Sequence, residues 1–272
     1  MTSRSKATQP LSSRSQPESS VRGVPASLRA HGEPPVYFTF ASLEREGLAH
    51  VTTTRHCPGV TSPSERTGPF NADARDTLAA GGLDLARVAY ARQVHGADVV
   101  RAMGGYAGEA DVLTTTERGV SLAIFTADCL AIIAWDAEAR ALSVAHVGWR
   151  GTVKRAQQAS VTSLRALGVE PARLRVAIAP AIGPCCYEVD EPVVGEFTRA
   201  FGSERLSRWS RPSRPGHVML DLWTANEDLL VEAGVDRQRI DNPRLCTACH
   251  PELLYSYRKG NRGRLVTAAA LS

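Results

Sequence analysis

The chain contains no run approaching the roughly 18 apolar residues that a membrane helix requires, and its first residues, MTSRSKATQP, lack the basic-then-apolar order of a secretory signal. Both absences point to a cytoplasmic protein with no membrane partner. Basic runs interleaved with aromatics are missing as well. The 32 Lys and Arg stand against 28 Asp and Glu, and aromatic residues make up only 6% of the chain. That balance argues against a nucleic-acid partner and leaves small anions as plausible ligands. Cysteine is sparse: Cys57, Cys129, Cys185, Cys186, Cys246 and Cys249. Two are adjacent, and adjacent cysteines bridge only with strain, so no disulfide framework is expected and a reducing compartment fits.

What remains is enough for a folded domain, since 272 residues with 43% hydrophobic side chains can bury a proper core. Residues 1–35 are rich in Ser, Arg and Pro and poor in large apolar side chains, so they are expected to form a disordered tail ahead of a single domain over 36–272. From VYFTF onward the chain alternates apolar, β-branched runs with amphipathic segments. AHVTTT, VAYARQV, SLAIFTA, LAIIAW, ALSVAHV and LRVAIAP read as strands. The apolar spacing over 152–167, closed by Gly168, predicts a helix. A second is expected from Pro192 to Phe201, and a third from the cap Asp221 to Gly234. Strands and helices mix without strict alternation, which favours an α+β fold of mixed sheets.

Three segments place metal-competent side chains at strand ends: His95 in RQVHGADVV, Cys129 in TADCLAI and His146 in AHVGWRGT. Two imidazoles and a thiolate suit zinc, and three protein ligands leave a fourth position for water. Taken singly, each also reads as a buried core thiol or a hydrogen-bonded strand-end imidazole. Cys129 has a further reading as a nucleophile activated by His146, which metal ligation would remove. Asp128 stands where a turn would normally take Gly, Asn or Pro. Arg150, between two glycines at a helix entrance, is an anion-binding candidate, with Arg55 and Arg258 weaker ones of the same kind. CTACH, Cys246 to His250, matches the pattern for covalent haem, but that attachment belongs to exported proteins, and one C-x-x-C pair falls short of a zinc ribbon's two, so a structural turn with some redox or stray metal affinity is the better reading. Cys185 and Cys186 are expected to line a packed turn, with Glu188 the nearby acid.

Read together, RQVHG, TADC, AHVGWRG, AIGPCCYEV, DLWTAN and CTACHPELLYSYR resemble the laccase-domain proteins, also called the multicopper polyphenol oxidase or purine nucleoside phosphorylase family. The resemblance covers about 36–272, with the motifs in the family's order. It implies a single-domain α+β fold of packed sheets flanked by helices, the laccase-domain or cysteine-hydrolase-like fold. It also implies a zinc site formed by His95, Cys129 and His146, with Asp128 orienting a neighbour or the site's water. The implied activity is phosphorolysis of adenosine, inosine, guanosine and 5'-methylthioadenosine with an adenosine deaminase side activity, which makes purine nucleosides and phosphate the partners. Arg55, Asn71, Arg150 and Arg258 are then the expected substrate and phosphate contacts. One segment departs from the family pattern: HCPGVTSPSERTGPFNADARD replaces the usual glycine-rich turn after Arg55, keeping only the Asn at Asn71.

Three other functions draw on parts of the same sequence. Copper-dependent phenol oxidation, suggested by the family's older name, would need around ten imidazoles, a rough expectation from copper's ligand preference, and the chain has seven His. A Cys129/His146 amide hydrolase in peptidoglycan-precursor editing and a non-enzymatic partner-binding protein are the other two.

Overall fold

The computed structural model describes residues 23–44, 47–60 and 68–272. A seven-stranded sheet runs in the order β1 (Leu28–His31), β2 (Tyr37–Phe40), β3 (Leu48–Thr53), β16 (Leu265–Leu271), β8 (Ser121–Thr126), β4 (Val88–Arg92) and β6 (Gly105–Glu109). A six-stranded sheet runs β15 (Ile240–Asp241), β11 (Arg175–Ile178), β9 (Leu130–Asp136), β10 (Ala141–Val147), β7 (Val112–Thr115) and β5 (Val99–Arg101). A small third sheet joins β12 (Glu188–Val189), β14 (Val218–Leu220) and β13 (Ser210–Pro212). Pairing is antiparallel except where β4 meets β6 and β8, β5 meets β7, and β11 meets β15, so both large sheets are mixed.

The central strands read as continuous apolar runs because both of their faces are covered. In β8, Leu122 and Ile124 enter a core shared with Ile133, Trp135, Leu142 and Val144 of the facing sheet. Ala123 and Phe125, on the opposite face, join Phe70 and Leu78 beside helix α1 (Ala72–Ala79). In β9, Leu130, Ile132 and Ala134 meet Val161 and Leu164 of α3 (Ala156–Ala166) and Leu229 and Leu230 of α6 (Leu222–Glu232). The layers are therefore helix, sheet, sheet, helices, the α+β architecture expected. Truncating a side chain such as Leu164, fully buried between layers, costs about 2–5 kcal/mol. Asp221 caps α6 by accepting a hydrogen bond from Thr224 N at 3.0 Å. None of the helices in the described residues is long and apolar enough to cross a membrane.

Two expectations need correction. The expected tail over 1–35 extends too far: β1 pairs along the edge of the large sheet with Leu28 opposite Phe40, and Leu28 is buried in the core. A four-residue edge strand needs only one good apolar anchor, too weak a signal to stand out from a polar segment. Residues 1–22 lie outside the described ones. The helix expected over 152–167 is two helices. The first, α2 (Trp149–Val153), stops where Arg155 enters the left-handed region at φ 65°, and α3 starts at Ala156. A left-handed Arg costs about 1–2 kcal/mol, and its guanidinium, 5.1 Å from the centroid of the Phe201 ring, supplies a tertiary contact that periodicity does not reveal. The other two helices are α4 (Glu191–Phe201) and α5 (Ser203–Trp209).

Candidate functional site

Ala127, Asp128 and Cys129 do not form a hairpin turn. They carry the chain from β8 in one large sheet to β9 in the other. Asp128 holds φ at 90°, a conformation that costs a non-glycine residue about 1–3 kcal/mol. Its carboxylate is what offsets that cost: Oδ1 accepts from Thr247 Oγ1 at 2.6 Å and Oδ2 from Arg258 N at 2.7 Å, while its carbonyl accepts from Ile182 N at 2.9 Å. An acid replaces glycine here because it ties three loops together. Both carboxylate oxygens are engaged, so Asp128 orients Arg258 and its loop.

His95 follows β4 with φ at 58°, in a turn built around Asp111. This carboxylate is fully buried and accepts from three backbone N–H groups, Val94 at 3.1 Å, His95 at 3.0 Å and Gly96 at 2.6 Å. It also accepts from His146 Nδ1 at 2.7 Å. One side chain thereby fixes the backbone of one imidazole and the ring orientation of the other, leaving Nε2 of His146 as the nitrogen that meets Cys129 and would ligate a metal. The two imidazole rings stand edge to face with centroids 4.8 Å apart, and the donor atoms of His95, Cys129 and His146 all lie within 4.8 Å of one another. Gly148 is required by this approach: a Cβ there would lie 2.8 Å from Cys129 Sγ and 3.3 Å from His95 Cδ2.

The electrostatics follow from this geometry. Burial pushes the Cys129 thiol up, but hydrogen bonds to His146 and His95 outweigh it and bring the pKa down to about 6. Burial disfavours the His146 imidazolium, yet Asp111 and Cys129 raise its pKa to about 9. Burial also opposes ionisation of Asp111, and the hydrogen bonds from His146 and Gly96 overcome it and lower its pKa. The metal-free site thus favours a thiolate–imidazolium pair; the thiolate is already the form a metal needs, and binding would displace the His146 proton.

These groups open onto a cavity of about 600 Å³ whose lining includes His95, Asp128, Cys129, His146, Arg150 and Arg258. Arg150 lies on α2 with its guanidinium 4.3 Å from the centroid of Trp149. That helix is only five residues long, so anion attraction rests on the guanidinium more than on a helix dipole. Arg258 lies over Tyr187 at 5.2 Å and donates to the carbonyls of Cys186 and Glu188. Two expected contacts fall elsewhere. Asn71 is the N-cap of α1, accepting from Ala74 N at 3.0 Å. Arg55 donates to the Pro251 carbonyl and lies over the Tyr255 ring at 5.3 Å, and neither residue lines the cavity. The rest of the departing loop, 61–67, lies outside the described residues. Glu188 is paired with Arg214 and accepts from Ser213, facing a second cavity of about 350 Å³.

Sequence reasoning missed Asp111, Trp149, Tyr187, Thr247 and Tyr257. For Asp111 a signal existed, since an acid opening the apolar strand of EADVLTT must be either exposed or fully bonded. The aromatics carried none, because their role depends on which loops meet.

The model of the family described as multi-copper polyphenol oxidoreductase laccase matches residues 70–272. A purine nucleoside phosphorylase from Deinococcus radiodurans is 41% identical over 199 residues, covering 71% of this chain and 74% of that protein. The adenosine deaminase RL5 from an unknown prokaryotic organism is 34% identical over 209 residues, 72% of this chain and 79% of the relative. The crystal structure of YlmD from Geobacillus stearothermophilus superposes with a TM-score of 0.77 at 29% identity, covering 89% of this chain and 98% of that one.

Proposed function

Because the chain belongs to the multi-copper polyphenol oxidoreductase laccase family, we propose that it is a zinc-dependent purine nucleoside phosphorylase with an adenosine deaminase side activity. Adenosine, inosine, guanosine and 5'-methylthioadenosine are its substrates. The observation that carries this reading is that a two-imidazole, one-thiolate donor set lines the same cavity as four arginines, Arg150 and Arg258 among them, beside the names borne by the relatives.

The donor set fits zinc, with His95, Cys129 and His146 as ligands and Asp111 behind them. A zinc ion held there would supply Lewis acidity, the activation of water that deamination requires. Arg150 and Arg258 hold phosphate, Arg150 with its planar fork free to chelate two oxygens. In phosphorolysis a phosphate oxygen bonds to the ribose anomeric carbon as the glycosidic bond breaks and its electron pair leaves with the purine. The held anion stabilises the positive charge that develops on the ribose. Trp149, Tyr187 and Tyr257, all on the cavity wall, offer faces for the base. Burial raises the pKa of Tyr187, with Cys129 nearby adding to it, so its hydroxyl stays protonated and donates.

Phenol oxidation on several coppers does not suit this donor set. Among the described residues, the only histidines gathered in a possible metal cluster are His95 and His146. Arg150→Lys tests the proposal. It keeps the charge but loses the fork, so phosphorolysis should fall at least about tenfold while deamination of adenosine changes little. Equal loss of both activities would place Arg150 in a structural role.

A further inference from the structure

Away from the cavity, two segments that sequence reasoning treated as separate turns meet. Cys185 and Cys186 follow the GP turn after Ile182, and Cys246 and Cys249 bracket the TA of CTAC. The segments are joined by backbone hydrogen bonds, Ala181 N to Leu245 O and Thr247 N to Ala181 O, both 3.2 Å. All four sulfur atoms lie within 4.8 Å of one another, and Cys249 Sγ is 3.4 Å from both Cys185 Sγ and Cys186 Sγ.

We infer that Cys185, Cys186, Cys246 and Cys249 form a second metal site, a tetrathiolate for a zinc-class divalent cation that staples the two segments together.

A tetrahedral centre with metal–sulfur bonds of about 2.3 Å sets its sulfurs about 3.8 Å apart, close to the 3.4 Å of the two Cys249 pairs and inside the 4.8 Å that bounds all four sulfurs. Disulfides account for the arrangement less well. Cys249 is equidistant from two partners and can bridge only one, and the adjacent pair bridges only with strain. Cys246, the buried member, accepts a hydrogen bond from Gly183 N at 3.3 Å, the kind of backbone donor that supports a thiolate ligand. Cys185 and Cys249 are exposed, giving an ion a way in. Binding releases the thiol protons to solvent and leaves two net negative charges. Cationic side chains surround those charges through the local backbone: Arg258 on the Cys186 carbonyl at 3.2 Å and Arg211 on the Pro184 carbonyl at 3.4 Å. The site is structural, since four protein ligands close it. It sits behind the first site through Thr247, which lies between two of its ligands and donates to Asp128.

The test is metal content of the full-length chain, purified under reducing conditions and loaded with zinc. Wild type should hold about two ions per chain, Cys185→Ser/Cys249→Ser about one, and Cys129→Ala about one. Cobalt substituted into Cys129→Ala should give the intense thiolate charge-transfer band of several sulfur ligands. Should the double variant not fold, alkylation of native wild type decides. The four cysteines should be protected together and become reactive together when a chelator is added. One ion in wild type with none in Cys129→Ala, four thiols alkylated at once without chelator, or a chelator-insensitive bridge from Cys249 to Cys185 or Cys186 would overturn the inference. None of these readings depends on the nucleoside chemistry proposed above.

Discussion

Replacing Asp111 by Asn should damage the metal site more than any other single change outside the ligands. The native carboxylate answers three backbone N–H groups and the His146 Nδ1–H from a fully buried position. An amide keeps one acceptor oxygen and turns an NH₂ toward the other donors, so one or two buried donors lose their partner at about 1–3 kcal/mol each. The expected loss is therefore about 2–5 kcal/mol. At about 2–4 °C per kcal/mol for a domain of this size, thermal unfolding of the metal-free protein should shift down by roughly 5–15 °C. The His146 ring orientation is no longer enforced and the His95 turn loosens, so zinc affinity, read by competition with a chromophoric chelator, should drop about 10- to 100-fold. A variant that melts within about 2 °C of wild type and binds zinc unchanged would refute the claim that Asp111 organises the site.

Further outcomes follow from other parts of the fold. Gly148→Ala places a methyl 2.8 Å from Cys129 Sγ, so overpacking of about 1–3 kcal/mol should appear as a roughly tenfold or larger loss of zinc affinity, measured by the same competition. His50 is buried and its Nε2 accepts from Phe40 N at 2.8 Å. Burial lowers its pKa to about 4 from 6.5. The folded state thus prefers neutral His50, and the stability this gives is full above pH 6.5 and lost as pH falls toward 4, roughly 3 kcal/mol in all. Denaturant titrations across that range should show a smaller acid loss in His50→Gln. A chain starting at Val36 loses β1 and the burial of Leu28, so it should be less stable by at least about 2 kcal/mol; unchanged stability would restore the longer tail.

The sheet strands were legible because strands covered on both faces must be apolar throughout, and SLAIFTA and LAIIAW could be little else. Their membership of different sheets was not, since it depends on where Ala127 to Cys129 cross and on the distant Thr247 and Arg258 that hold Asp128. His95, Cys129 and His146 could be proposed from side-chain chemistry and family likeness, and the structure brings them together. Arg55 and Asn71 failed to reach the cavity because each found a nearer partner, a carbonyl and a helix N-terminus. The four-cysteine cluster escaped sequence reasoning because CTAC has ligand spacing but is only one pair, and its partner, the adjacent CC, lies about 60 residues away.

The most direct test is to incubate adenosine with the zinc-loaded chain and with Cys129→Ala, each with and without phosphate, and to resolve the products by chromatography. Wild type should yield adenine and ribose 1-phosphate only when phosphate is present and inosine in both buffers, and Cys129→Ala should show neither activity. Base released without phosphate, or undiminished turnover by Cys129→Ala, would contradict it.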